Sequence, residues 1–372
     1  MTPRNTFAGQ LLLYRHLCKL LEWQCLVLVP DDQAVGENPG RWVESRVPSI
    51  PLWLGRFRRD PFYSAADALA ARWLFKQFKN VADEFAPDAV LSVMMPDPLF
   101  HAAAYYSRQR RLPLVLVCHD DYLHHAPKGY DPQVRRIYQQ AAVRLCVSEP
   151  MAENFRLRYG VEAMVLHPVP SGPAGAVREQ CQSEPLVVGF AGSLGDGYEK
   201  PFLMLADALH RRGGRLAIAS PTSREILPRL WTHPAVHDLG FLAPEQVSGA
   251  LMKEGANVLA VVQSYAPSDS HAFKHNFPSK LTEYATFGLP LLVVAPEGSS
   301  AAIWTRQNPG SALLVENLSD VECEMVISNL QNADSRKKLA QGFHEAAKVF
   351  EPQKLQGIFE EALLRACSLH GK

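Results

Sequence analysis

The sequence predicts an α/β protein of two domains, each a parallel sheet covered by helices on both faces. Three observations carry this. Short apolar runs alternate with segments of helical periodicity through most of the chain. A stretch dense in Pro and Gly, His167-Pro168-Val169-Pro170-Ser171-Gly172-Pro173-Ala174-Gly175, interrupts that alternation. A second series then opens with a strand, a Gly-rich loop and a helix. The chain has 372 residues, too many for one ordinary core and suited to two.

The elements follow in order. Leu11 to Leu21 has an amphipathic helical pattern, and Cys25 to Pro30 reads as a strand. A Rossmann-type domain normally opens with a strand leading into its first Gly loop and helix. Here Phe7-Ala8-Gly9-Gln10 and the helix are present and no strand precedes them. Either the start is shorter than in related chains or the sheet lacks that strand. Helix 65–85, strand 89–94, helix 98–111 and strand 114–118 come next. Helix 132–142, strand 143–148, helix 149–159 and strand 163–166 complete the first series. The expected domains are 1–168, a linker 169–185, a second domain 186–349 and a C-terminal helix 350–372 returning to the first domain. In the second domain we read strand 186–191, helix 201–212 and strands 215–219, 258–262 and 291–294, with helix after Asp320.

Composition narrows the function classes. Apolar residues make up 47% and charged residues 20%, as in a globular protein, not a disordered one. Formal net charge is +0, which argues against bulk nucleic-acid binding. The seven cysteines include no C-x-x-C pair, and several lie in apolar strands, so reduced thiols in a cytoplasmic protein are expected. The first ten residues show no signal-peptide pattern, and no apolar run is long enough to span a bilayer.

Two stretches point to an anionic ligand. Gly189-Phe190-Ala191-Gly192-Ser193-Leu194-Gly195-Asp196-Gly197 ends a strand and leads to a helix, a place where backbone N–H groups approach a phosphate. By itself this is equally an ordinary βα turn. His275-Asn276-Phe277-Pro278-Ser279-Lys280-Leu281-Thr282-Glu283-Tyr284 reads as a Pro-started helix, stopped by Gly288-Leu289-Pro290. Ser and Lys at a helix start suit a phosphate, and a Glu one turn on can reach a pair of sugar hydroxyls.

These stretches, with Leu239-Gly240-Phe241-Leu242-Ala243-Pro244-Glu245, resemble the donor domain of retaining GT-B glycosyltransferases, the glycosyltransferase family 4 (group 1) type. The resemblance covers about Leu186 to Val349. It implies two Rossmann-like domains facing across a cleft and transfer from a nucleotide diphosphate sugar to a saccharide or lipid-linked acceptor. It also implies retention, and no cofactor or metal. Glu283 would bind the donor ribose, and Ser279 and Lys280 the diphosphate. Gly192 and Ser193 would contact phosphate, Lys200 would follow the Gly loop, and Phe241 and Leu242 would flank the base. In the first domain His119 and Asp120 end a strand at its carboxyl edge. His119 would position a sugar hydroxyl or relay a proton, with Asp120 orienting it. Gly9 would lie near the reaction centre on the acceptor side.

Two positions depart from the pattern. His275 stands where many relatives have a second Glu, and Ser193 where many have Arg, so Lys274, Lys200 or Lys280 must supply the charge. Other readings stay open: a sugar-nucleotide 2-epimerase, or a non-catalytic nucleotide-sugar-binding protein. His119, Asp120 and Asp121 with His124 and His125 also admit a metal site. Trp53-Leu54-Gly55-Arg56-Phe57-Arg58-Arg59 reads as a solvated basic loop or as a peripheral contact with the inner face of a membrane.

Overall fold

The computed structural model describes residues 8–31, 41–59, 62–122, 126–127 and 129–369, with no account of the side chains of residues 8 and 9. The chain forms two compact units, Met1–His167 with Leu355–Lys372, and Pro168–Lys354.

The first unit contains α1 (Ala8–Leu17), β1 (Leu26–Pro30), β2 (Val43–Val47), α2 (Leu52–Arg56), α3 (Tyr63–Phe85) and β3 (Val90–Val93). After these come α4 (Pro98–Arg110), β4 (Leu114–Cys118), α5 (Tyr130–Gln140), β5 (Val143–Cys146), α6 (Glu149–Tyr159) and β6 (Met164–Val165). Local chemistry sets the ends. Asp97 caps α4 by accepting from Leu99 N at 2.7 Å, with Pro98 next. Ser148 caps α6 in the same way from Met151 N, and Gly160 ends that helix at φ 75°. Ala66, Ala70, Leu74, Phe78 and Ala82 recur every four residues along α3 and form its buried stripe.

All strand pairs in this unit are parallel, in two sheets: β1-β2 and β3-β4-β5-β6. The Rossmann order is 3-2-1-4-5-6. β4, buried at all five positions, lies in the interior of the four-stranded sheet. Strand β2 escaped the sequence reading because Val-Glu-Ser-Arg-Val carries two charges and has little apolar content.

The second unit contains β7 (Val187–Ala191), α7 (Glu199–Arg211), β8 (Arg215–Ala219), α8 (Pro228–Trp231), β9 (Val236–Gly240), α9 (Pro244–Lys253) and β10 (Val258–Val262). Then follow α10 (Ser270–His275), α11 (Ser279–Tyr284), β11 (Leu291–Val294), α12 (Ser300–Gln307), β12 (Ala312–Val315), α13 (Asp320–Gln331) and α14 (Ala333–Ala346). The sheet order is β12-β11-β10-β7-β8-β9, all parallel, which is the full Rossmann order. The order reverses between β7 and β10, so their carboxyl ends form the crevice where such sheets take ligands.

Segment 169–185, read as a linker, docks on this unit. Gly175 N donates to Ala285 O at 2.9 Å and Arg178 N to Gly288 O at 3.0 Å. Gly288 has φ 67°, and a Cβ there would lie 2.0 Å from Ala176 O, so only glycine allows this approach. The last helix, α15 (Pro352–Ser368), contributes its residues from Leu355 onward to the first unit. There Gln356 bonds the ring of His16 at 2.9 Å and Phe359 stacks on it at 4.5 Å.

Candidate active site

Gly192 and Phe241 follow β7 and β9 at their carboxyl ends, and Lys280 reaches Gly192 from α11. Gly192 follows β7 directly and has φ 143°, in the region that favours glycine. A Cβ at Gly192 would lie 2.3 Å from Lys280 Cε and 2.6 Å from its Nζ. The Lys280 side chain therefore lies against bare backbone of the Gly loop, with its amine 5.2 Å from the centre of the Phe190 ring. Lys280 is half-buried and has no ion pair or hydrogen-bond partner among the described residues. Burial pushes its pKa down to about 8. With no counter-ion among the described residues, a cation beside a Gly loop favours the approach of an anion.

α11 is short. It starts after Pro278, runs six residues and tightens into a 3-10 turn, Ala285–Phe287, that ends at Gly288. Tyr284 locks it to the sheet: the Ala191 N–H donates to the buried Tyr284 hydroxyl at 2.8 Å. This couples the helix bearing Ser279, Lys280 and Glu283 to the residue just before Gly192. The sequence reading quoted Tyr284 within its motif and gave it no role, because the contact joins residues 93 apart. Glu283 accepts from Ser171 N at 3.2 Å and Ser171 Oγ at 2.5 Å.

The remaining donor-side candidates are spread more widely. Ser193 is exposed in the loop after Gly192, and Lys200 is exposed in the first turn of α7. Phe241 is 72% exposed just past the carboxyl end of β9, with Leu242 half-buried beside it in sequence. His275 is buried; its ring bonds His271 O at 3.1 Å and meets the His271 ring at 4.6 Å. Lys274 is exposed. Gln263, one residue beyond β10, is 2% exposed, and its Oε1 has no partner among the described residues. The sequence reading passed over it; its place at the end of the strand beside β7 was the available signal.

In the first unit His119 follows β4. It is 8% exposed, and neither ring nitrogen has a partner among the described residues. Burial first, and then the neighbouring His16, push its pKa down to about 4, so the ring is neutral at ordinary pH. It lines a cavity with Leu12, His16, Val117, His167 and Phe359. Asp120 does not orient this ring. It accepts from the Tyr122 hydroxyl at 3.1 Å, and burial raises its pKa. Asp121 accepts from Asn154 at 2.9 Å and from Arg158, an internal pair. His124 and His125 lie outside the described residues. Gly9 is the second residue of α1, and its surroundings also lie outside them.

Two Rossmann-like units, one with the full strand order and a Gly loop at its switch point, are the architecture of the GT-B glycosyltransferases. Residues 11–172 match the family model described as Glycosyltransferase Family 4. Among solved structures, Anabaena HepE, crystallised with UDP and glucose, is similar at TM-score 0.67 and 15% identity, over 98% of this chain and 97% of that one. A trehalose-phosphate synthase (UDP-forming) from Burkholderia vietnamiensis is similar at TM-score 0.67 and 12% identity, over 98% and 97%. The lipopolysaccharide outer core galactosyltransferase WaaB, in its apo form, is similar at 0.57 and 16%, over 87% and 85%. No curated protein matches the chain. Among the described residues no helix is long and apolar enough to cross a membrane.

Proposed function

We propose that this chain transfers a sugar from a nucleoside diphosphate sugar to a saccharide or lipid-linked acceptor, with retention of configuration and without a metal ion. The observation that carries the proposal is the Lys280 amine, held against Gly192 at the switch point with no counter-ion. A departing diphosphate develops negative charge, and an ammonium joined by backbone N–H groups stabilises it. Glu283, one turn further along α11, takes the ribose hydroxyls in place of the Ser171 hydroxyl. The exposed Phe241 ring and Leu242 flank the base. His119, neutral and unpartnered, offers one nitrogen to a sugar hydroxyl. Uridine diphosphate sugars are the first donors to test, because HepE is crystallised with UDP.

Calorimetry tests the donor assignment. Glu283→Ala is expected to weaken UDP binding and to erase the preference for UDP over its 2′-deoxy form. Each lost hydrogen bond to the carboxylate corresponds to about 1.5–3 kcal/mol, or roughly tenfold to a hundredfold. Unchanged affinity with the preference intact overturns the role. Incubation with donor alone separates transfer from epimerisation, since an epimerase converts the sugar without an acceptor. Product anomer by NMR tests retention, and activity after chelation tests metal independence.

A further inference from the structure

Residues 52–59, with Phe62, present a surface that the proposed transfer does not use. Helical geometry places Leu52, Arg56, Trp53 and Phe57 on one arc of about 140°, with Leu54 opposite. The two faces differ accordingly. Leu54 is 3% exposed against Ala66, Ala70 and Ile50. Leu52 is 85% exposed, Trp53 63%, Phe57 52% and Phe62 60%. Phe57 and Phe62 meet edge to face at 6.4 Å, which joins the second aromatic to the first.

Arg58 fixes this arrangement. Its guanidinium donates to the fully buried Asp67 at 3.0 Å and to Pro96 O at 3.2 Å, and lies 5.6 Å from the centre of the Tyr63 ring. Breaking a buried pair leaves an uncompensated charge, so the segment is pinned from within. The apolar side chains point outward because the inner face is already filled. Large apolar groups held in water on a rigid support mark an interaction surface.

Charge selects the partner. From Pro48 to Phe62 the chain carries Arg56, Arg58 and Arg59 and a single acid, Asp60. Arg58 is turned inward, which leaves Arg56 and Arg59 exposed beside the aromatic rings. A patch of four large apolar groups is small for a protein interface of standard size. Trp and Phe among arginines suit the headgroup region of a bilayer with anionic lipids. We propose that this face docks peripherally on an anionic membrane surface. Trp53, Phe57 and Phe62 enter the interfacial layer, while Arg56 and Arg59 pair with lipid phosphates. The proposal stands on these residues alone and does not depend on the nucleotide-sugar reading.

Co-sedimentation of the full chain with vesicles tests it. Binding is expected to phosphatidylcholine mixed with phosphatidylglycerol, weak binding to phosphatidylcholine alone, and a decrease with salt. Trp53→Ser with Phe57→Ser is expected to lower the partition coefficient by about tenfold or more. Arg56→Gln with Arg59→Gln is expected to remove the preference for the anionic mixture. Unchanged thermal unfolding in each variant shows that the fold is kept. The proposal is overturned by absence of vesicle binding, by equal binding to both vesicle types, or by full binding of the Trp53/Phe57 variant. It is also overturned if the unmodified chain dimerises in solution and the Trp53/Phe57 variant does not, since a second copy then covers this face.

Discussion

Replacing Lys280 by Met leaves a side chain of similar length against Gly192 and Phe190 and removes only the charge. In the free protein the amine is half-buried with a pKa lowered to about 8. A diphosphate beside it favours the ammonium and raises that pKa, so binding near the free pKa takes up a proton. The sign follows. Affinity is fully expressed below about pH 8 and is lost as pH rises through it. The amine is about nine-tenths charged near pH 7 and about one-tenth charged near pH 9, so UDP affinity falls by up to about tenfold across that interval. The terminal phosphate ionises near about pH 6 and stays charged throughout. A charge-assisted hydrogen bond of about 1.5–3 kcal/mol makes Lys280→Met roughly tenfold to a hundredfold weaker near neutrality, with a flat profile above it. Free of ligand, the variant is expected to be as stable as the parent or more so, because no uncompensated amine is buried. Titration calorimetry in buffers of different ionisation heat reads affinity and proton uptake together. Equal affinity for parent and variant, or a parent that takes up no proton near pH 8, refutes the reasoning.

Three further outcomes follow from the geometry. Gly192→Ala forces a Cβ to 2.3 Å from Lys280 Cε at a φ of 143°, and is expected to lower the melting temperature and weaken UDP binding about tenfold or more; thermal shift with and without UDP checks both. His119→Gln is expected to leave UDP affinity unchanged and to lower kcat by roughly a hundredfold, read by initial rates against acceptor concentration. His16, His101 and His119 are each held by burial at a pKa of about 4, below their unfolded value. Their contribution to stability is full above about pH 6.5 and is lost as pH falls towards 4, on the order of 1–3 kcal/mol each, which denaturant melts across that range will show.

Much of the architecture was legible because it is local. Apolar runs such as Leu114 to Cys118 announce buried parallel strands, and Asp97-Pro98 and Ser148 announce helix starts. The division of the first unit's strands into β1-β2 and β3 to β6 required the pairing itself. Strands β2, β9 and β12 were missed; β2 and β9 carry charged or polar residues among their apolar ones.

At the site the division falls in the same place. The sequence alone determined that Ser279, Lys280 and Glu283 share one short helix after Pro278, and that Gly192 and Ser193 follow a buried strand. Helical periodicity and the φ freedom of glycine are properties of adjacent residues. Only the tertiary structure decided that the Lys280 amine rests on Gly192 without a counter-ion, that Tyr284 ties its helix to Ala191, and that Ser171 holds Glu283 across 112 positions. It also decided that His119 is neutral, with no hydrogen-bond partner among the described residues, while Asp120 accepts from Tyr122. Desolvation and contact depend on everything packed around a group, and that surrounding is assembled from distant parts of the chain.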